Sequence, residues 1–114
     1  TMENIQYKRL RNIWTQKEYL LEFRMLNTLE NLFNLARERK KSPVDGSYTN
    51  ELLSNKSLSK EKVLEEINEL IEAIENDSNK IHEAADVLYH LIMYFEVNEI
   101  KIEDVCKELE KRKK

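Results

Sequence analysis

Apolar residues recur every three or four positions along most of the chain, and that spacing predicts helices. Leu10, Ile13, Trp14, Leu20 and Leu21 form a broad stripe over a first helix, 4–24. Leu29, Leu32, Phe33 and Ala36 fall on one face of a second, about 28–41, with Asn27 and Thr28 as a soft cap before it. The pattern breaks at Ser42 to Thr49, which holds Pro43 and Gly46 and reads as the principal loop. Residues 50–58 read as a short helix or turn closed by Ser57 and Ser59. Val63, Leu64, Ile67, Leu70, Ile71 and Ile74 share one face of a third helix, about 60–75. Asn76, Asp77, Ser78 and Asn79 then make a turn of residues that hydrogen-bond their own backbone. A fourth helix covers about 80–97 and a last one about 102–112. The short 76–79 link makes the third and fourth helices antiparallel neighbours. The expected class is all-α, a bundle of four to five helices.

Composition narrows the picture further. With 114 residues, one Gly and one Pro, the chain lacks the turn residues of a β-sandwich and fits one helical domain. Twenty-two acidic against nineteen basic residues give a net charge of −3, which disfavours a nucleic-acid partner. Lys8, Arg9, Arg11, Lys17 and Arg24 are read as a solvated face of the first helix rather than a docking surface. Cys106 can form neither an internal disulfide nor a thiolate metal site alone, and is expected as a small core residue. No apolar run reaches the length of a membrane span and no signal peptide opens the chain. Thr1 is set aside as a remnant ahead of Met2. A cytoplasmic, reducing location is expected.

The candidate chemistry lies in the carboxylates. Glu66 with Glu69, and Glu83 with Asp86, are i, i+3 pairs, so each pair shares one side of its helix. If the two helices pack antiparallel, four acids converge. Such a group either keeps some members protonated or surrounds a cation, and oxygen donors favour a hard ion such as magnesium. Spacing alone is weak: chance supplies about four acidic i, i+3 pairs at this acid content, and the chain has five. Context singles out Glu83 and Asp86, because the run from Ala84 to Phe95 is apolar nearly all round, and acids in a buried helix need partners. The same run offers enough apolar surface for a second subunit. His90, one turn after Asp86, can orient a carboxylate, contact phosphate, move a proton, or be a buried hydrogen-bonded histidine. Lys62, one turn before Glu66, can neutralise acids or phosphate, or form a plain ion pair. Tyr89 and Tyr94 are read as packing.

Three stretches carry a resemblance. They are Gly46-Ser47-Tyr48-Thr49 with Leu52, Lys62 through Glu65-Glu66 to Glu69, and Glu83-Ala84-Ala85-Asp86-Val87-Leu88-Tyr89-His90-Leu91. Asp104-Val105, Glu108-Leu109 and Arg112 extend it. On these residues the chain from about 26 to 112 resembles the phosphoribosyl-ATP pyrophosphohydrolase family of the all-α nucleoside triphosphate pyrophosphohydrolases (MazG-like). The resemblance implies magnesium-dependent hydrolysis of phosphoribosyl-ATP to phosphoribosyl-AMP and pyrophosphate, the second step of histidine biosynthesis, in a homodimer. It implies Glu66, Glu69, Glu83 and Asp86 as metal ligands, and Glu65 beside them or acting on water. Lys62 and His90 would lie near the phosphates. Arg39, Ser47, Tyr48 and Thr49 would bind substrate, and a phosphoribosyl-AMP cyclohydrolase is an implied partner.

Leu64 stands where the family usually has Gly, Glu75 where it usually has Lys, and the stretch from Thr49 to Lys62 is slightly short. These departures bear on substrate choice and remove none of the expected ligands. On this reading residues 1–25 are a helical extension and 26–114 the pyrophosphohydrolase-like domain. A house-cleaning pyrophosphohydrolase acting on another nucleotide, and a non-catalytic helical dimerisation module, are the competing functions.

Overall fold

The computed structural model describes the backbone of residues 16–113 and the side chains of residues 26–113. Among these residues there are five helices and no strand: α1 (Gln16–Lys41), α2 (Tyr48–Ser54), α3 (Lys56–Glu75), α4 (Lys80–Val97) and α5 (Ile102–Lys111). The all-α expectation holds. Residues 4–15 of the expected first helix, with Lys8, Arg9 and Arg11, lie outside the described residues. The expected break at Asn27 and Thr28 does not occur, and α1 runs through both. Neither residue costs more than about 0.7 kcal/mol in a helix interior, so with no Gly or Pro nothing stops the helix before Ser42. The chain divides into two units, Thr1–Asn31 and Leu32–Lys114. The described side chains of the first unit, residues 26–31, are exposed; the candidate site belongs to the second.

Two caps move helix starts from where periodicity placed them. Ser47 ends the loop earlier than expected, because its Oγ accepts the Asn50 N–H and starts α2 at Tyr48. Asn55 does the same for α3 by accepting the Leu58 N–H at 3.0 Å. Helix α3 therefore begins at Lys56, and Ser57 and Ser59 lie inside it rather than closing the preceding segment. Gly46 sits at φ +76° in the loop, a left-handed conformation that a side chain would strain.

Helix C-termini are closed without glycine. After α3, Ser78 N–H reaches Ala73 C=O at 2.9 Å and Asp77 N–H reaches Ile74 C=O at 3.3 Å, with Asp77 at φ 51°. After α4, Ile100 N–H reaches Phe95 C=O at 2.9 Å and Glu99 N–H reaches Glu96 C=O at 3.1 Å, with Glu99 at φ 58°. Both are Schellman closures in which an acidic residue takes the left-handed position glycine usually fills.

The most extensive packing is between α3 and α4, with α2 lying against both. A small core joins Ala36 of α1, Leu52 of α2, and Ile92 and Met93 of α4, with Leu32, Phe33, Leu53, Leu58 and Tyr89 packed around it. The apolar row of α3 divides. Val63 is buried, while Leu64, Ile67, Ile71 and Ile74 are exposed, as are Ile81 and Leu88 on α4. Cys106 is exposed, not a core residue. It follows Val105 on α5, whose apolar positions Ile102, Val105 and Leu109 leave it on the wet flank.

Candidate active site

Helices α3 and α4 each present two acids one turn apart, and the α3–α4 pairing brings them together. Carboxylate oxygens of Glu66, Glu69 and Glu83 lie within 4.8 Å of one another, and the same holds for donor atoms of His82, Glu83 and Asp86. Glu83 belongs to both groups, so the four predicted acids form one continuous patch. His82 is an addition that periodicity did not flag, although its i, i+4 spacing to Asp86 was available; its Nε2 lies 3.4 Å from Asp86 Oδ2.

The patch is short of positive charge. Among the described residues no Lys or Arg forms an ion pair with any of the four acids. Glu66 Oε2 and Glu83 Oε2 are buried atoms with no hydrogen-bond partner. Burial pushes the Glu66 carboxyl above the usual range, the Glu69 charge adds to the rise, and His90 opposes it. The Glu83 carboxyl is raised by burial first and then by Glu69 and Asp86. Crowded, dehydrated oxygens that attract protons also attract cations. An all-oxygen set of this kind suits a hard divalent ion.

Lys62 goes elsewhere. Its ammonium pairs with Glu65 at 3.2 Å rather than with Glu66, and this contact raises its pKa. Glu65 is exposed, and its carboxylate accepts from the Lys62 ammonium.

Beside the acids stands a hydrogen-bonded aromatic group. His90 is buried, its Nδ1 lies 2.7 Å from the Asp86 carbonyl oxygen, and its Nε2 lies 2.8 Å from the Tyr48 hydroxyl. A carbonyl can only accept, so Nδ1 carries the hydrogen; in the neutral ring Nε2 then accepts from Tyr48. Burial raises the Tyr48 pKa against the opposing charge of Lys62, which keeps that hydroxyl a donor. Thr49 Oγ1 hydrogen-bonds the Tyr89 hydroxyl, and the Tyr48 and Tyr89 rings stack with centroids 6.5 Å apart. Tyr89 therefore packs, as expected, and also holds Thr49. These contacts fasten the start of α2 to α4.

Arg39, in the last turn of α1, donates from Nη1 to Ser47 Oγ at 2.9 Å. The structure thus links the predicted substrate-binding residues in a line: Arg39 to Ser47, then Tyr48 to His90, with Thr49 held by Tyr89. Sequence reading missed Asn50, whose side chain joins this loop to α1 at Val44 and Arg39. It also missed Glu96, a buried acid held by Arg37 at 3.4 Å and Lys40 at 3.9 Å.

Comparison with known proteins bears on the same residues. The sequence profile described as phosphoribosyl-ATP pyrophosphohydrolase matches residues 26–113. The chain is 41% identical over 91 residues to the phosphoribosyl-ATP pyrophosphatase of Clostridium botulinum, covering 76% of this chain and 82% of that protein. It is 34% identical over 93 residues to the phosphoribosyl-ATP pyrophosphatase of Methanococcoides burtonii, covering 77% and 94%. It is also similar, at 38% over 93 residues, to the histidine biosynthesis bifunctional protein HisIE of Caldanaerobacter subterraneus, covering 78% of this chain and 45% of that longer protein.

Proposed function

Because the chain belongs to the phosphoribosyl-ATP pyrophosphohydrolase family, we propose that it hydrolyses phosphoribosyl-ATP to phosphoribosyl-AMP and pyrophosphate at the carboxylate patch of α3 and α4. The observation that carries the reading is the pair of orphaned buried oxygens, Glu66 Oε2 and Glu83 Oε2, in a cluster with no Lys or Arg partner among the described residues. Structural acids are normally hydrogen-bonded when buried. Acids left open in this way fit a divalent cation, and magnesium suits oxygen donors that must share the ion with a polyphosphate. Glu66, Glu69, Glu83 and Asp86 would hold it; when bound, it offsets the charge of the phosphate oxygens.

The chain's own residues supply the remainder. Glu65 takes a proton from the attacking water as the α–β anhydride opens and pyrophosphate leaves. Lys62 keeps a charged ammonium beside Glu65 and turns toward the phosphates when they arrive. Hydrogen-bonded through Nδ1 to the α4 backbone, His90 has a fixed orientation and sets the position of the Tyr48 hydroxyl. Arg39, Ser47 and Thr49 form the wall of the loop that meets the substrate, and their prior order lowers the cost of positioning it.

Assembly follows from the exposed face. Leu64, Ile67, Ile71 and Ile74 of α3 and Ile81 and Leu88 of α4 expose apolar area that the small single-chain core does not use. A second copy placing the same face against it would form a homodimer, the self-complementary arrangement that one shared patch favours. A cytoplasmic location, and a phosphoribosyl-AMP cyclohydrolase as partner, go with this reading. The second is supported by the bifunctional name of the longer relative.

The test is pyrophosphate release from phosphoribosyl-ATP, measured beside ordinary and non-canonical nucleoside triphosphates, with magnesium and with chelator. Magnesium-dependent turnover confined to phosphoribosyl-ATP is the expected outcome. Equal or faster turnover of another nucleotide moves the chain to house-cleaning, and the absence of any turnover sinks the catalytic reading.

A further inference from the structure

The loop between α1 and α2 is organised by one residue that no functional motif of the sequence singled out. Asn50 has its Nδ2 2.8 Å from the Arg39 backbone carbonyl and its Oδ1 3.0 Å from the Val44 N–H. The orientation of the amide is fixed by chemistry, since only Nδ2 can donate to a carbonyl and only Oδ1 can accept from an N–H. The Asn50 backbone N–H meets Ser47 Oγ at 3.3 Å, the same oxygen that accepts Arg39 Nη1 at 2.9 Å. Arg39 is therefore held at two points. The Asn50 amide holds its backbone directly, while its guanidinium donates to Ser47 Oγ, the oxygen that also caps α2 by accepting the Asn50 backbone N–H.

What is held is unusual for this chain. Arg37 pairs with Glu96 and Glu103, and Arg112 with Glu108. Among the described residues Arg39 alone of these arginines has no carboxylate partner; a neutral hydroxyl takes one of its five donors. A half-buried guanidinium with its charge uncompensated and donors to spare is suited to an anion. Ser47 precedes Tyr48, whose hydroxyl is 2.8 Å from His90 Nε2, so the guanidinium is anchored one residue from the group beside the acids.

We propose that Asn50 is a positioning residue for substrate binding, fixing Arg39 in the orientation that receives an anionic group of the nucleotide. The proposal deepens the reading of the site given above and rests on it. The amide meets both requirements at once. Alanine offers neither bond, aspartate loses the donor, and glutamine displaces both by one methylene.

The experiment is steady-state kinetics of the full chain on phosphoribosyl-ATP with magnesium. Asn50→Ala is expected to raise KM about tenfold, with kcat within about twofold, because it loosens a ground-state contact rather than the reacting groups. Arg39→Ala is expected to raise KM by a similar factor or more. The double variant is expected to match Arg39→Ala alone, since residues acting through one contact are not additive. Should Asn50→Ala not fold, Asn50→Asp carries the same test, because it keeps the acceptor for Val44 and loses the donor to Arg39. An unshifted KM, or two effects that multiply in full, overturns the proposal while leaving the enzyme reading intact. Failure of the unaltered chain to turn over phosphoribosyl-ATP overturns both.

Discussion

Helix α4 carries acids at both ends, and the two ends are treated in opposite ways. Near its C-terminus Glu96 is buried, yet Arg37 and Lys40 from α1 reach its carboxylate, and Lys40 Nζ also donates to its backbone carbonyl at 2.8 Å. Arg37 goes on to Glu103 at the start of α5, with Nη1 to Oε2 at 3.0 Å. Near its N-terminus Glu83 and Asp86 meet Glu66 and Glu69, and His82 is the one basic group that pairs there among the described residues. Burial of an acid therefore says little by itself. An acid supplied with cations by its own chain ties elements together, whereas acids gathered without them stay crowded and, on the function proposed above, would receive a cation.

The difference can be broken first at the open end. Glu69 raises the carboxyl pKa of both Glu66 and Glu83, so it is the shared source of repulsion. Glu69→Ala is expected to lower magnesium-dependent turnover about a thousandfold. Its melting temperature in chelator should equal or exceed that of the unaltered chain, because a like charge has been removed. A clear fall in thermal stability would place Glu69 among the structural acids and cancel the contrast.

At the closed end the expectation reverses. Glu96→Ala removes the acid that Arg37 and Lys40 share and leaves Arg37 its pair with Glu103. Both cations are about one-third exposed, so the loss is held to about 2 kcal/mol. Denaturant titration reads that value, while kcat per folded molecule should stay near that of the unaltered chain. A drop in kcat at full folding would mean that the α1–α4 tie also shapes the site.

The smallest effect is in acid. Hydrogen bonding to Arg37 holds the Glu103 carboxyl at about 2, below its ordinary 4.5. A depressed folded-state pKa contributes stability that is present above the unfolded value and is lost as pH falls through the folded one. The contribution of this exposed pair should fade between about pH 4.5 and 2. Glu103→Gln should lower the melting temperature slightly at neutral pH, where the pair contributes, leave it nearly unchanged near pH 2, and so flatten the acid limb between. A steeper acid limb in the variant would contradict the assignment.

These contrasts also show what the sequence could and could not display. Periodicity located α3 and α4, and the short 76–79 turn made them neighbours, so the convergence of Glu66, Glu69, Glu83 and Asp86 was legible as local spacing. Helix starts at Tyr48 and Lys56 were less so, because each depends on one side-chain oxygen, of Ser47 and of Asn55, in a stretch with many candidates. The Glu96 tie was not legible at all. Its partner Arg37 is 59 residues away, and nothing near Glu96 distinguishes it from twenty-one other acids. Periodicity groups Leu64, Ile67, Ile71 and Ile74 correctly but is silent on whether the chain itself covers them.

The glycine-free turn after α3 has a kinetic consequence. Contacts across a four-residue link form before those that must close long loops, so the α3–α4 hairpin is the natural early structure in folding. That is also where the like charges of the acid patch are brought together. On that order the like charges of Glu66, Glu69, Glu83 and Asp86 meet early, ahead of the docking of Ala36 and of the loop that Asn50 closes. Divalent cations in the surrounding solution would then bear on how quickly a new chain matures, as well as on what the finished protein can do.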